Sequence, residues 1–497
     1  MNFSELLAEH IVPFLKGVGI GLFVGAGVVL AVSIVIILIR TLRFRPQKIE
    51  PKQFDKVTLD GDAAVEKLAA LVRCKTVSNR DAALEDDAEF EKLVELLPTL
   101  YPNVAATCAF SRFEGRGLLF HWKGKHADAP AVLMAHYDVV PADEEYWEKP
   151  PFAAVLENGV LWGRGTLDTK VTMNAALFAA DKLIATGFVP ENDVYFAFSG
   201  GEEVNGMGAS HIVSYFEEKG IVPGIVLDEG GAVVENVFPG VSAPCGMVGI
   251  AEKGMLNLEF SVKSAGGHAS APKPHTPVGE LSRACCKMEQ KPFAAHVTPP
   301  VAAMFDTLGR RSTFLYRMIF ANLWCFRGVL DLICRKSGGE LNALMRTTVA
   351  FTQMQGSKAP NVIPPTATMV ANLRLNPEDT MESALAYAKS VVGDERVTVT
   401  AIDGMNPSRI SRIDTPAFEK VKTAIEGTWQ GTIVTPYLMV QCSDSRHWGR
   451  ISDKVYRFSA MDLTAEERAT IHGNNERTRV ESVCRALEFY IRLIKQL

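Results

Sequence analysis

Five short apolar runs in this chain each lead to a histidine or a carboxylate. The run 131–135 meets His136 and Asp138, and 160–167 ends on Asp168. The run 193–199 passes through two glycines to Glu202 and Glu203, 225–227 ends on Asp228, and 455–461 precedes His472. Apolar runs bounded by turn residues predict strands. Helical periodicity falls between and around them, at 63–77, 86–97, 171–185 and 416–428, with a final helix from Arg479 onward. Strands alternating with helices predict an α/β fold whose mostly parallel sheet is covered on both faces. In such a sheet ligands gather beyond the carboxyl ends of the strands, so the five endings predict one rim carrying imidazoles and carboxylates.

On a strand, Asp138 shares a face with His136. A carboxylate there can accept one ring N–H and leave the other nitrogen for a metal. Two histidines and three carboxylates form a set suited to zinc, and also to manganese or cobalt. Five ligands are too many for one tetrahedral zinc with an open position; they suit two ions sharing a carboxylate. With Glu202 beside Glu203, one acid can bind metal while the other serves as base.

Near residue 250 the pattern changes. The stretch 255–263 alternates apolar and polar, the mark of a sheet with one wet face. A helix at 278–290, a strand at 366–375, a helix at 381–392 and a strand at 396–402 follow. This order predicts a small α+β, ferredoxin-like domain at 250–404, inserted between two parts of the larger domain, 61–249 and 405–497. The segment 314–334 is very apolar, yet Arg317, Asn322, Arg327 and Asp331 interrupt it. A buried or lipid-surface helix pair is expected there rather than a membrane span.

Residues 17–39 carry no charge, enough to span a bilayer. A signal peptide is the rival, but its apolar core is usually shorter and followed by a small-residue cleavage site. Here Arg40, Arg43, Arg45 and Lys48 follow instead, so 1–45 is expected to be an uncleaved anchor and 46–60 a linker. Lys16 alone precedes the span, and the positive-inside rule then places the large domain in the cytoplasm, with a lumenal or extracellular placement as the alternative. Nine cysteines without a CxxC pair agree, since they predict free thiols rather than a disulfide framework. The net charge of −5 lacks the basic footprint of a nucleic-acid binder.

The phrases HYD (136–138), GRGTLDTK (163–170), GGEE (200–203), LDEGG (227–231), GGHASAP (266–272), NVIPP (361–365), NLR (372–374), DSRH (444–447) and IHGNNE (471–476) occur in this order. Over about residues 60–497 the chain thereby resembles the co-catalytic di-zinc aminoacylase/carboxypeptidase family, nearest its carboxypeptidase S-like branch. The resemblance implies a hydrolase that cleaves the amide or peptide bond next to a C-terminal amino acid with a free carboxylate. Its substrate would be a small peptide or N-acyl amino acid, and it would hold two zinc ions per chain. By that resemblance Asp168 bridges the ions, His136 and Asp228 hold one, and Glu203 and His472 hold the other. Glu202 would be the general base and Asp138 the orienting partner of His136. His268 would donate to the oxyanion, and Asn361, Arg374 and Arg446 would contact substrate. Residues 250–404 would be a lid and dimerisation domain, giving a homodimer, and a cis peptide would follow Asp168. Gly200 and Gly201 depart from the pattern, because relatives often carry an acid before the glutamate pair. A dipeptidase, a desuccinylase-type amidase and an inactive membrane-tethered binding protein are the alternative readings.

Overall fold

The computed structural model of the chain describes residues 12–48, 52–235 and 240–497. The first eleven residues of the expected anchor and residues 49–51 of the expected linker lie outside the described residues. The body is built on an eight-stranded sheet. Its order is Ala109–Phe113, Gly117–Trp122, Asn192–Ser199, His126–His136, Ile225–Val234, Val455–Leu463, Cys245–Glu252 and Ile433–Met439. The central strands are apolar on both faces because both are covered. Leu133, Ala135, Phe196 and Phe198 pack with the helices Gly61–Val72, Lys170–Ala185, Pro416–Thr428 and Val480–Ile494. Their neighbours Val132, Met134, Tyr195 and Ala197 point the other way, onto Ile212, Val213 and Phe216 of the helix Gly208–Lys219. The helix Lys170–Ala185 is buried almost throughout, which explains its small and apolar residues on several faces.

The sheet is mixed, a correction to the mostly parallel one expected. His126–His136 runs parallel to both its neighbours, and Val455–Leu463 runs parallel to Ile225–Val234. Ala109–Phe113 and Gly117–Trp122 form an antiparallel edge, and Cys245–Glu252 runs antiparallel to Ile225–Val234. Short connections permit antiparallel neighbours, whereas parallel ones need a crossover. Apolar periodicity carries no information on strand direction, so the sequence could not separate the cases.

A second, four-stranded antiparallel sheet has the order Thr348–Gln355, Thr366–Leu375, Gly254–Lys263 and Thr398–Met405. The helices Pro277–Gln290 and Met381–Val392 pack on one face of it. Leu256, Leu258, Phe260 and Val262 enter that core while Asn257, Glu259 and Ser261 are only half-buried, as the alternation requires. Four helices fall between Pro277–Gln290 and Thr348–Gln355: Pro299–Gly309, Phe314–Ala321, Leu323–Ser337 and Gly339–Met345. Their buried side chains, among them Val301, Phe305, Leu330 and Cys334, share a third core with Cys245, Met247 and Leu438 of the large sheet.

The N-terminal helix Val12–Arg43 leans its last turns on this helical segment. Arg40 Nε donates to the Ala321 carbonyl at 3.1 Å, and Asn322 Nδ2 donates to the Ile37 carbonyl at 3.2 Å and to Thr41 Oγ1 at 3.1 Å. Its Val24–Arg43 portion is long and apolar enough to cross a membrane.

Candidate active site

His136 ends the strand His126–His136 and is buried, with 2% of it exposed. Its Nδ1 lies 3.0 Å from the Asp138 carbonyl oxygen; donating there directs Nε2 at the Asp168 carboxylate, 2.9 Å away. The other Asp168 oxygen lies 3.0 Å from His472 Nε2. One carboxylate thus spans two imidazoles from opposite ends of the sequence. Glu203 lies 3.1 Å from the same His472 nitrogen. Possible ligand atoms of His136, Asp168 and Glu203 lie within 4.8 Å of one another, and so do those of His136, Glu202 and Glu229. The Asp168–Thr169 peptide is cis.

Two buried acids hold this arrangement in place. Asp138 was expected to orient His136, but its carboxylate is 3.5 Å from Nδ1. It accepts instead from Ser78 Oγ at 2.7 Å and from the Glu202 and Glu203 backbone N–H groups at 3.1 and 3.2 Å. It therefore fixes the turn that presents the glutamate pair. Glu476 does the same for Asp168. Its carboxylate accepts from the N–H groups of Gly165, Leu167 and Asp168 and from Arg164 Nη1 at 2.8 Å. Ahead of the pair, a Cβ at Gly200 would stand 2.6 Å from the Tyr137 ring. Any side chain there, an acid included, would collide with it.

Asp228 is the main departure. It is buried, and its Oδ2 accepts from the Ser445 N–H at 2.9 Å. The pairing of its strand with Val455–Leu463 is interrupted just after Asp228, and at that irregularity Glu229 approaches His136, with Oε1 3.5 Å from Nε2. Asp444, also unforeseen, is buried beside the cluster and accepts from Ser199 Oγ.

The expected substrate residues divide into two groups. Arg374 and Arg446 converge on one short segment: Arg374 Nη1 is 3.5 Å from Cys442 Sγ, and Arg446 Nε donates to the Ser443 carbonyl at 2.7 Å. His268 and Asn361 stand apart at a small exposed two-stranded sheet, where Gly267–His268 pairs with Val362–Ile363. The Ala269 N–H donates to the Asn361 carbonyl at 2.9 Å, and His268 Nδ1 lies 2.7 Å from Ser270 Oγ. A cavity of about 1060 Å³ lies elsewhere, lined by Phe54, Trp429, Asp462, Arg479 and Arg492 and by none of the clustered ligand residues.

Burial pushes Glu229 up to about 8, helped by the Asp168 charge, and Asp444 up to about 7, helped by Asp228. Burial also holds Glu202 well above the ordinary range, with Glu229 and Asp444 adding to it. Hydrogen bonds to Asp168 and Glu203 raise His472 to about 10. Burial disfavours the Asp168 charge, but the two histidines outweigh it and keep that carboxylate ionised. Carboxylates this close cannot all ionise without a cation. A set of imidazole nitrogens and carboxylate oxygens that is buried at His136 and open to solvent at His472 fits zinc.

One consequence is a pH dependence of the metal-free protein. Folded, Glu229 and Asp444 keep protons that the unfolded chain has already lost above the usual carboxylate range. His472 likewise keeps its proton above its ordinary 6.5. His447, lowered to about 4 by burial and Arg446, opposes them, and the buried Lys253 and Lys170, lowered by burial to about 7 and about 8, do so only from about neutral pH upward. The folded state then binds more protons, so stability falls as pH rises. Chelator-stripped protein is expected to melt at a lower temperature at about pH 7 than at about pH 5, and reloading zinc should remove most of the difference. Equal melting temperatures in the stripped protein would contradict it.

His136 at a strand end of the large sheet, with Asp168 and His472 from neighbouring loops, places two histidines around a shared carboxylate with glutamates alongside, an arrangement able to hold a metal ion. Residues 132–496 match the model of Peptidase family M20/M25/M40, and the chain belongs to that family. It is 32% identical over 476 residues to "Probable carboxypeptidase S-like 2" of Dictyostelium discoideum, covering 93% of this chain and 91% of the relative. It is 33% identical over 491 residues to "N-fatty-acyl-amino acid synthase/hydrolase PM20D1" of Xenopus tropicalis, covering 97% and 96%. In fold it resembles the M20 family metallo-carboxypeptidase Sso-CP2 from Sulfolobus solfataricus, with a TM-score of 0.65 at 15% identity over 87% of this chain and 98% of that one.

Proposed function

We propose that the chain cleaves the amide bond between an acyl group, or a preceding residue, and a C-terminal amino acid with a free carboxylate. The observation that carries this reading is the Glu202 carboxylate, clustered with His136 and Glu229 on one side and within electrostatic reach of the Arg446 guanidinium on the other. Two zinc ions, replaceable by manganese or cobalt, would be held by Asp168 as bridge, by Glu203 and His472, and by His136 with Glu229. Bound zinc supplies Lewis acidity toward the carbonyl and acidifies the attacking water. Glu202 accepts the proton of that water and returns it to the leaving nitrogen. Arg374 and Arg446 fork the carboxylate of the departing amino acid, a geometry that suits guanidinium. On this reading His268 and Asn361, which are exposed, reach substrate from the lid of a second copy, with 250–404 as the dimer surface and His268 as the oxyanion donor. A panel of N-acyl amino acids and dipeptides, each with free or amidated C-terminus, tests the reading. Hydrolysis indifferent to amidation would remove both arginines from their role.

The ligand assignment has its own test. Glu229→Gln is expected to cost one of the two zincs. Asp228→Asn should weaken zinc binding only about 10–100-fold, as for a group that supports a ligand. Zinc stoichiometry measured across a zinc titration separates them, and the reverse ranking would return Asp228 to the ligand set.

The acyl group is the part of the substrate that the name of one relative, an N-fatty-acyl-amino acid hydrolase, brings to mind. A cavity of about 280 Å³ suits an apolar chain. Met247, Met304, Leu341, Leu344 and Leu438 line it, together with Gly230 and Ile471, the chain neighbours of Glu229 and His472. Leu344→Trp would fill it. The expected outcome is a loss of turnover on long-chain N-acyl amino acids of about tenfold or more, with N-acetyl substrates unaffected. An unchanged chain-length profile would put the acyl chain elsewhere. The helix Val12–Arg43 would be a single-pass anchor, and the basic residues 40–48 favour a cytoplasmic body.

A further inference from the structure

Of the polar residues that interrupt 314–334, Asn322 is buried, Arg317 and Asp331 are half-buried and Arg327 is exposed, and three of them bond back to the protein. Asp331 pairs with Arg346, Arg327 Nη2 donates to the Ala295 carbonyl at 2.6 Å, and Asn322 joins its own helix pair to the N-terminal helix. The apolar residues face outward. In the helix Leu323–Ser337, Trp324 is 55% exposed, Val329 52%, Leu332 53% and Ile333 48%. With Cys325 and Gly328 they recur at one-turn spacing along one stripe. In the helix Phe314–Ala321, Phe314 and Leu315 are likewise exposed. A helix in water carries its polar face outward; here much of the exposed face is apolar as well.

Two further observations identify what covers the stripe. It continues the exposed apolar surface of Val24–Arg43, because Arg40, Thr41 and Ile37 bond directly to Ala321 and Asn322. Arg43, Arg45, Arg335 and Lys336 lie exposed in the segments bordering it, where anionic headgroups would meet them. We propose that the outer face of this helix pair rests on the lipid bilayer, a second and shallow contact beside the N-terminal helix. Trp324, Phe314 and Leu332 enter the acyl boundary, as in interfacial amphipathic helices. The inference stands apart from the hydrolytic reading and from its substrate.

The full chain, reconstituted in vesicles of phosphatidylcholine and phosphatidylserine, provides the test. Of the other tryptophans, Trp122, Trp147, Trp429 and Trp448 are buried and Trp162 is half-buried. Lipids brominated near the headgroup end of the acyl chain should quench the share of emission due to Trp324. Trp324→Phe should abolish that quenching, and the double variant Leu332→Glu, Ile333→Glu should reduce it at an unchanged melting temperature. Quenching that survives Trp324→Phe, or none in the parent chain, would overturn the proposal. So would shielding of Trp324 that follows protein concentration in detergent without bromolipid quenching, which would assign the face to a second copy.

Discussion

Glu202→Gln is expected to lower kcat/KM by about 10²–10⁴-fold, the usual contribution of a positioned acid–base group, while zinc content stays at the parent level. The glutamate is buried against Glu229 and Asp444, which hold its proton affinity high. A carboxamide of the same shape keeps the packing and cannot carry the proton from water to amine. Zinc analysis alongside steady-state kinetics is the measurement. Normal turnover with both metals bound would sink the role, and lost activity with lost metal would reassign Glu202 to the ligands.

The second large effect falls on stability. Glu476→Ala is expected to destabilise the protein by about 3–5 kcal/mol, the cost of stranding a buried partner charge. Arg164 is 2% exposed and would keep carbonyl contacts at Gly473 and Pro141 and the face of the Trp147 ring, but no anion. Three backbone N–H groups around Asp168 would lose their acceptor as well. Denaturant unfolding reads the loss, and zinc affinity should fall with it because the bridging carboxylate loses its support. A change below about 1 kcal/mol would show that the loop is held by other means.

Part of the site was legible because apolar runs are legible. His136 ends a strand of the large sheet, whereas Asp168 follows the short strand Val160–Trp162 of a separate sheet and His472 follows the helix Ala465–Ala469, so these two come after an apolar run without marking its end. The choice between Asp228 and Glu229 was not legible: it depends on where the pairing with Val455–Leu463 is interrupted, which two adjacent acids in a sequence do not show. Glu476 and Asp444 were quoted as motif letters without a role, since their partners lie about three hundred and two hundred and fifty positions away. Strand direction left no trace, so the sheet's antiparallel parts went unseen. In the helical segment 299–345 apolar content was plain, but its outward orientation depends on where Asp331 and Arg327 find partners.

The clasp between Glu476 and the Arg164–Asp168 loop also orders events in time. The strand Val455–Leu463 sits inside the large sheet, between Ile225–Val234 and Cys245–Glu252, and His472 and Glu476 come later still. Synthesis runs from the N-terminus, and domains tend to fold as they emerge. The N-terminal helix and the second sheet can therefore form while the metal-ligand cluster still lacks His472 and the brace under Asp168. The cluster can be completed only when the final segment has left the ribosome.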